Sequence, residues 1–291
     1  MQNTPQNTIS KQPLFSVLIA NYNNGKYLMD AIDSVRRQTY THWEIILVDD
    51  ASTDNSKELY KDLEKDERIH IYYNEKNLGC GYTKARCADL ANGELCGFLD
   101  PDDELLPNAL SDMTEVHYLH PEVSIVYSRC YYCDSLTKEI IGENKVLDLS
   151  GGKTFFDYRD NGATHFTSYK KSYYQQSEPI SVSIKAGVDQ DMNFKLEEVG
   201  MPYFLNKFTY RYYVRNDSIS ARKNLQDLLF WNYEVRHAAC VRRGLDISVI
   251  MQHDFKKMMD LQGKLVADKV RHSMRYRVGK ILLSPFTALK K

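Results

Sequence analysis

An α/β fold with a mostly parallel central sheet flanked by helices is predicted by two features of the first hundred residues. Short, nearly continuous apolar runs alternate with segments whose apolar residues fall at helical spacing. Three of the runs end in polar clusters: Asn21-Tyr22-Asn23, Asp49-Asp50 and Asp100-Pro101-Asp102-Asp103. Runs of that density mark strands buried on both faces, as under helices covering a parallel sheet. Such sheets bind ligands beyond the carboxyl ends of their strands, so a single site can collect all three clusters.

In chain order, residues 1–13 are polar and read as a flexible N-terminal arm. Phe15 to Ala20 is the first strand, broken by the turn at Asn21 to Gly25. Leu28, Ala31, Ile32 and Val35 then follow a helical period. Trp43 to Val48, Ile69 to Tyr73 and Leu95 to Leu99 are the next strands. Leu59 and Leu63 give one face of a helix that Ser52, Asp54 or Asn55 can cap, and Tyr82 to Leu90 forms another. Further on, helices are expected over Pro107 to Leu119, Asp189 to Glu198 and Leu225 to Arg243. A strand is expected over Val123 to Tyr127, and a strand pair or bent strand over Phe204 to Val214.

Composition narrows the function. The 291 residues carry a net charge of −1, which argues against a nucleic-acid partner for the chain as a whole. The 6 cysteines are scattered without a secretory signal, which favours reduced thiols and a cytoplasmic protein. Cys130 and Cys133 have the spacing of only half a zinc site. No Gly-rich phosphate loop follows the first strand, so if a phosphate binds, a cation must hold it. Asp100, Asp102 and Asp103 would repel one another without positive charge among them. A hard divalent ion held by oxygen ligands answers that need. The alternative is an acidic turn that caps the next helix.

Order and spacing of the motifs then resemble family 2 glycosyltransferases. The matching residues are Ser16-Val17-Leu18-Ile19-Ala20-Asn21-Tyr22-Asn23, Ser34 to Tyr40, and Trp43 to Asp54. Asn77-Leu78-Gly79, Ala85-Arg86 and Phe98-Leu99-Asp100-Pro101-Asp102-Asp103 continue the series. The resemblance covers roughly residues 14 to 110, and more weakly the chain to about 220. It implies the GT-A (nucleotide-diphospho-sugar transferase) fold, with a catalytic domain over 14–222 and a helical C-terminal extension over 223–291. Residues 14–105 would be the nucleotide-binding half and 106–222 the acceptor half.

It also implies roles. Tyr22 would lie against the nucleobase, with Asp50, and Asp49 beside it, accepting from the base edge. Ala20 would offer backbone alone, and Lys84 or Arg86 would face the nucleotide. Asp100 and Asp102 form the family's Asp-x-Asp pair for Mg²⁺ or Mn²⁺, Asp102 foremost, and Asp103 would ligate or orient a water. Asp191 matches the family's general base and Asp189 a helix N-cap, although both can serve merely as caps. His165 would contact acceptor or diphosphate, or pack as a structural histidine. Arg215 stands where relatives often have His; Arg cannot ligate a cation but can pair with phosphate.

The implied reaction is inverting transfer from a UDP- or dTDP-sugar to a glycan or lipid-linked glycan acceptor in polysaccharide biosynthesis. The alternatives are a sugar-nucleotide nucleotidyltransferase and a non-catalytic nucleotide-sugar-binding protein. Lys264 to Lys291 is basic, with Val270, Met274, Val278, Ile281, Leu282, Leu283 and Phe286 interspersed. It reads either as a peripheral membrane-surface helix or as a helix packed on the catalytic domain.

Overall fold

The computed structural model describes residues 12–157, 165–215 and 225–246, together with 248, 256, 259, 260 and 263. Most of the N-terminal arm and the whole basic tail lie outside the described residues. The chain divides into two compact units, Met1–Ala221 and Arg222–Lys291.

In the first unit, β1 (Phe15–Asn21), α1 (Gly25–Arg36), β2 (Trp43–Asp49), α2 (Ser56–Leu63), β3 (Ile69–Tyr73), α3 (Cys80–Leu90) and β4 (Leu95–Phe98) alternate as expected. Then come β5 (Glu104–Leu105), α4 (Ala109–Leu119), β6 (Val123–Asp134) and β7 (Ile140–Glu143). After these follow β8 (Thr167–Lys170), α5 (Lys171–Tyr174), α6 (Val188–Glu197) and β9 (Met201–Val214). The strands form one sheet in the order β3-β2-β1-β4-β8-β6-β9-β5, with β7 on β6. The pairings leave β1, β2, β3, β4, β6 and β9 running in one direction and β8, β5 and β7 against them.

Parallel register carries the polar clusters to one edge. Asn21 stands opposite Asp49, and β4 pairs with β1 from Phe15–Leu95 to Leu18–Phe98. The core beneath is made of Val17 and Ile19 of β1, Ile45 and Leu47 of β2, and Leu28, Ile32 and Val35 of α1, all fully buried. Each such side chain contributes about 1.5–3 kcal/mol by leaving water. The site is therefore built on a rigid platform.

Two elements differ from the sequence reading. Phe204 to Val214 belongs to a single strand, β9, which pairs with β6 along most of its length and with β5 at Glu104 and Leu105. That length lets β9 reach the acidic turn. The N-cap of α6 is Gly187, in the left-handed region at φ 76°, and not Asp189, which lies inside the first turn.

At the opposite ends of β1 and β2 a buried polar clasp holds the sheet. Ser16 Oγ donates to Glu44 Oε1 at 2.5 Å, and Asn92 donates to Glu44 through its backbone N–H at 2.7 Å and its amide at 3.0 Å. Burial opposes ionisation of Glu44, but these bonds and nearby His70 hold its carboxyl below the usual value.

The second unit contributes α7 (Leu225–Arg243), at the span read from sequence. Among the described residues no helix is long and apolar enough to cross a membrane.

Candidate active site

The ends of β1 and β2 make the first wall. Tyr22, just past β1, is 45% exposed and free to offer a ring face. Ala20 is partly exposed on β1, one residue before Asn21. Asp50 is buried, yet it organises the rim: Oδ1 accepts from Asn74 Nδ2 at 2.7 Å and from the Leu78 N–H at 2.8 Å, and Oδ2 from the Gly79 N–H at 2.8 Å. An ionised carboxylate has about four acceptor positions, so three bonds leave one for a ligand.

Asp49 and Arg86 sit elsewhere than expected. Asp49 is fully buried and points inward, accepting from Tyr60 OH at 2.5 Å and from the Ser52 N–H at 2.8 Å. Its oxygens serve the β2–α2 connection rather than the rim. Arg86 donates to Tyr73 O at 2.8 Å and to Asn74 Oδ1 at 2.5 Å. It anchors the residue that anchors Asp50.

The acidic turn forms the second wall and splits its three carboxylates. Asp103 is buried and faces β9. Its Oδ1 accepts from the Tyr213 N–H at 2.8 Å and its Oδ2 from Tyr210 OH at 2.9 Å, while the same phenol oxygen accepts from the Asp100 N–H at 3.2 Å. Burial, then Asp102 and Asp100, push the Asp103 carboxyl well above the usual carboxylate range. This places Asp103 among the groups that hold the turn in shape, away from any ion at the rim. Asp100 and Asp102 remain, with side chains 30% and 18% exposed.

Each of those two already faces a cation of the chain. Arg215 Nη1 lies 3.3 Å from Asp102 Oδ2, donates to Asn24 Oδ1 at 3.3 Å, and sets its guanidinium 4.4 Å from the centre of the Tyr27 ring. Lys84 Nζ lies 3.1 Å from Asp100 Oδ1 and 2.7 Å from Asp189 Oδ1. Burial alone would lower the Lys84 ammonium; Asp100 and Asp189 outweigh it and raise it well above its usual value.

Lys84 thus joins the acidic turn to the start of α6, the third wall. α3 and the loop before α6 meet closely because residue 81 is glycine: a Cβ there would lie 2.7 Å from Ser181 O and 2.6 Å from Ile184 O. The loop is held from its other side by Asp191, which accepts from the Ser181 N–H at 3.0 Å. Asp191 itself is fully buried and paired with Lys195, Oδ2 to Nζ 2.7 Å, and Lys195 also donates to Pro179 O and Ser181 Oγ. Asp189 is the carboxylate that reaches the rim, its side chain 40% exposed. Burial would raise its carboxyl, but Lys84 and His165 hold it below its usual value. The His165 ring stacks on Tyr210 and Tyr212 at 5.2 and 5.6 Å, in the field of Asp189.

Sequence reasoning passed over Cys80, in the first turn of α3. Burial pushes its thiol up to about 11, with Lys84 opposing and Asp189, Asp100 and Asp50 adding, so the group is neutral and lies among the site's charges. Cys130 and Cys133 are buried free thiols.

The chemistry of Asp100 and Asp102 fits Mg²⁺ or Mn²⁺: two hard oxygen donors at a rim, the remaining positions left to phosphate and water. Among the described residues no group of three His, Cys, Asp or Glu side chains is arranged to hold a metal.

Residues 16–183 match the family Glycosyl transferase family 2. The chain belongs to that family. Its relatives include TuaG of Bacillus subtilis, named for teichuronic acid biosynthesis, 39% identical over 36% of this chain and 42% of the relative. Chondroitin synthase of Escherichia coli is 27% identical over 74% of this chain and 31% of its own length. GalNAc(5)-diNAcBac-PP-undecaprenol beta-1,3-glucosyltransferase of Campylobacter jejuni is 33% identical over 55% of this chain and 52% of its own length. The chain thus spans between about a third and a half of these relatives. Among solved structures, S. aureus TarS 1-349 in complex with UDP matches with TM-score 0.61 at 19% identity, covering 78% of this chain and 64% of that one. The UDP-GlcNAc complex of the same protein matches with TM-score 0.61 at 20% identity, covering 78% and 65%. The likeness establishes a GT-A-type fold.

Proposed function

We propose that the chain transfers a sugar from a nucleotide-diphospho-sugar to a hydroxyl of a glycan or lipid-linked glycan, with inversion at the anomeric carbon. The observation that carries this reading is Lys84, whose one ammonium lies within 3.1 Å of Asp100 on the acidic turn and 2.7 Å of Asp189 on α6. Two carboxylates from distant parts of the chain meet there, one on the diphosphate side and one, Asp189, partly exposed at the rim where an acceptor can reach it. Family membership and the fold shared with a UDP-GlcNAc complex favour a UDP-sugar, with a dTDP-sugar as the other candidate.

Residues 14–105 would bind the nucleotide. Tyr22 stacks on the base, and Asp50 accepts from its edge with its remaining oxygen position. Asp100 and Asp102 would hold Mg²⁺ or Mn²⁺, which when bound would offset the charge growing on the leaving diphosphate. Arg215 and Lys84 supply fixed positive charge toward the same oxygens. His165 lies on the acceptor side.

Asp189 takes the place first given to Asp191 as general base. In the displacement, the acceptor oxygen bonds to the anomeric carbon and passes its proton to Asp189. The bond from that carbon to the phosphate oxygen breaks, its electron pair leaving with the diphosphate. Asp191 lies buried against Lys195 and supports the loop instead.

Incubation with UDP-, dTDP-, GDP- and CMP-sugars and Mn²⁺, reading free nucleotide, tests the donor class. Asp189→Asn is expected to bind nucleotide normally and turn over about 10²–10⁴-fold more slowly. Undiminished turnover would remove Asp189 from the mechanism. Failure to bind any of the four nucleotides would remove the donor reading, and release of pyrophosphate from a nucleoside triphosphate supplied with a sugar 1-phosphate would favour a nucleotidyltransferase.

A lipid-linked acceptor, as in the name of the Campylobacter relative, would lie at the cytoplasmic face of a membrane. The basic, apolar-studded composition of residues 264–291 suits contact with an anionic surface. Sedimentation with anionic vesicles should fall when the chain is cut before Lys264; equal binding would end that part of the proposal.

A further inference from the structure

Tyr210 is fully buried on β9 and touches both the acidic turn and His165. A buried phenol costs free energy unless its hydroxyl is bonded, and packing alone would be served by phenylalanine. Here the hydroxyl donates to Asp103 Oδ2 at 2.9 Å and accepts from the Asp100 N–H at 3.2 Å. One oxygen, with one donor and two acceptor positions, thereby ties the first carboxylate residue of the turn to the last. The ring keeps that oxygen in place. It stacks on His165 at 5.2 Å and lies 9° from the plane of Phe166 at 6.3 Å. The segment carrying those two rings is itself fixed. Ser128 Oγ donates to Phe166 O at 3.0 Å, accepts from the Phe166 N–H at 3.1 Å, and lies 2.6 Å from Thr209 Oγ1, beside Tyr210 in sequence. The far end of the turn is tied to the same stretch of β9, by the Leu106 N–H to Thr209 O at 2.8 Å.

We propose, resting on the nucleotide-sugar reading above, that Tyr210 is a positioning residue for the metal-bound donor. Its hydroxyl sets the backbone at Asp100 and the buried Asp103, and so the direction in which Asp100 and Asp102 offer their oxygens to Mg²⁺ or Mn²⁺. Tyr210 acts through those residues and touches neither metal nor diphosphate. Losing an outer partner of a metal ligand typically weakens metal binding about 10–100-fold.

The test uses the full chain and measures UDP affinity by calorimetry with and without Mn²⁺, with dTDP in its place if UDP does not bind. Tyr210→Phe keeps the ring and loses the oxygen. It is expected to bind UDP without metal as the wild type does, which also reports that it folds, and to lose about 10-fold of the affinity that Mn²⁺ adds. Tyr60→Phe is the control, since that phenol is buried too and donates to Asp49 at 2.5 Å, off the acidic turn. It should keep the whole Mn²⁺ gain. An equal loss in both variants would reduce Tyr210 to a structural role and overturn the proposal, as would an undiminished Mn²⁺ gain in Tyr210→Phe. If Tyr210→Phe does not fold, Asp103→Asn replaces the carboxylate that the phenol holds and should lose Mn²⁺ gain in the same way; no loss would overturn the proposal equally. The wild type separates the two readings. Absent binding of both nucleotides defeats the donor assignment, whereas the same Mn²⁺ gain in wild type and Tyr210→Phe defeats only the role of Tyr210.

Discussion

Asp191 and Lys195, one helical turn apart on α6, form an ion pair of 2.7 Å with both side chains almost fully buried. The pair faces into the protein and pins the loop from Pro179 to Ser181. Its neighbour Asp189, two residues earlier, faces the rim. The two carboxylates therefore differ in what their loss would do.

Asp191→Asn strands a buried ammonium and should cost about 3–5 kcal/mol of unfolding free energy. Asp189→Asn leaves the buried Lys84 ammonium with Asp100 as its partner and should cost less, about 1–3 kcal/mol. Urea unfolding of both variants measures this; equal costs would contradict the division of roles.

Arg86 is linked through Asn74 to Asp50, and through Asp50 to the Leu78 and Gly79 amides, so in the proposed site it would act on the nucleotide only through them. Arg86→Ala should therefore weaken nucleotide binding about 10-fold, roughly 1.4 kcal/mol, with bound turnover nearly unchanged. Asn74→Ala should do the same, and the double variant should add little, because the residues work in series. Calorimetry with UDP and steady-state kinetics check both points.

Tyr22 is exposed before any ligand arrives. Tyr22→Ala should cost about 1–3 kcal/mol of nucleotide affinity through lost stacking, and Tyr22→Phe almost none. A large loss in Tyr22→Phe would show that the hydroxyl, not the ring face, makes the contact.

Glu44 gives the fold an acid-sensitive clasp. Its carboxyl is held below the ordinary value of 4.5 in the folded chain. The stability it adds is thus fully present above that value and is lost as pH falls through the folded one. Glu44→Gln should be less stable at neutral pH and should lose less on acidification. Urea midpoints between pH 7 and pH 3 test the sign.

The nucleotide half was legible because its strands are buried on both faces and write themselves as unbroken apolar runs, from Phe15 to Ala20 and from Trp43 to Val48. The rim at Asn21, Asp50 and Asp100 followed from strand direction. The split of Asp100, Asp102 and Asp103 did not, because it depends on Tyr210 and Tyr213, more than a hundred residues away on β9. The confusion of Asp191 with Asp189 had a readable remedy. Asp191 and Lys195 stand at i,i+4, the spacing of a helical ion pair. The antiparallel insertion of β8 between β4 and β6 left no mark in the sequence pattern, since a four-residue strand shows too little alternation to set its direction.

The central claim is that Asp189, not Asp191, faces the reacting carbon across the site from the diphosphate. A crystal structure with a UDP-sugar and Mn²⁺ tests it directly. The pyrophosphate is expected at Asp100, Asp102 and Arg215, Tyr22 against the base, and Asp189 within hydrogen-bond reach of the acceptor position. A pyrophosphate bound away from Asp102, or Asp189 turned from the sugar with Asp191 in its place, would contradict it.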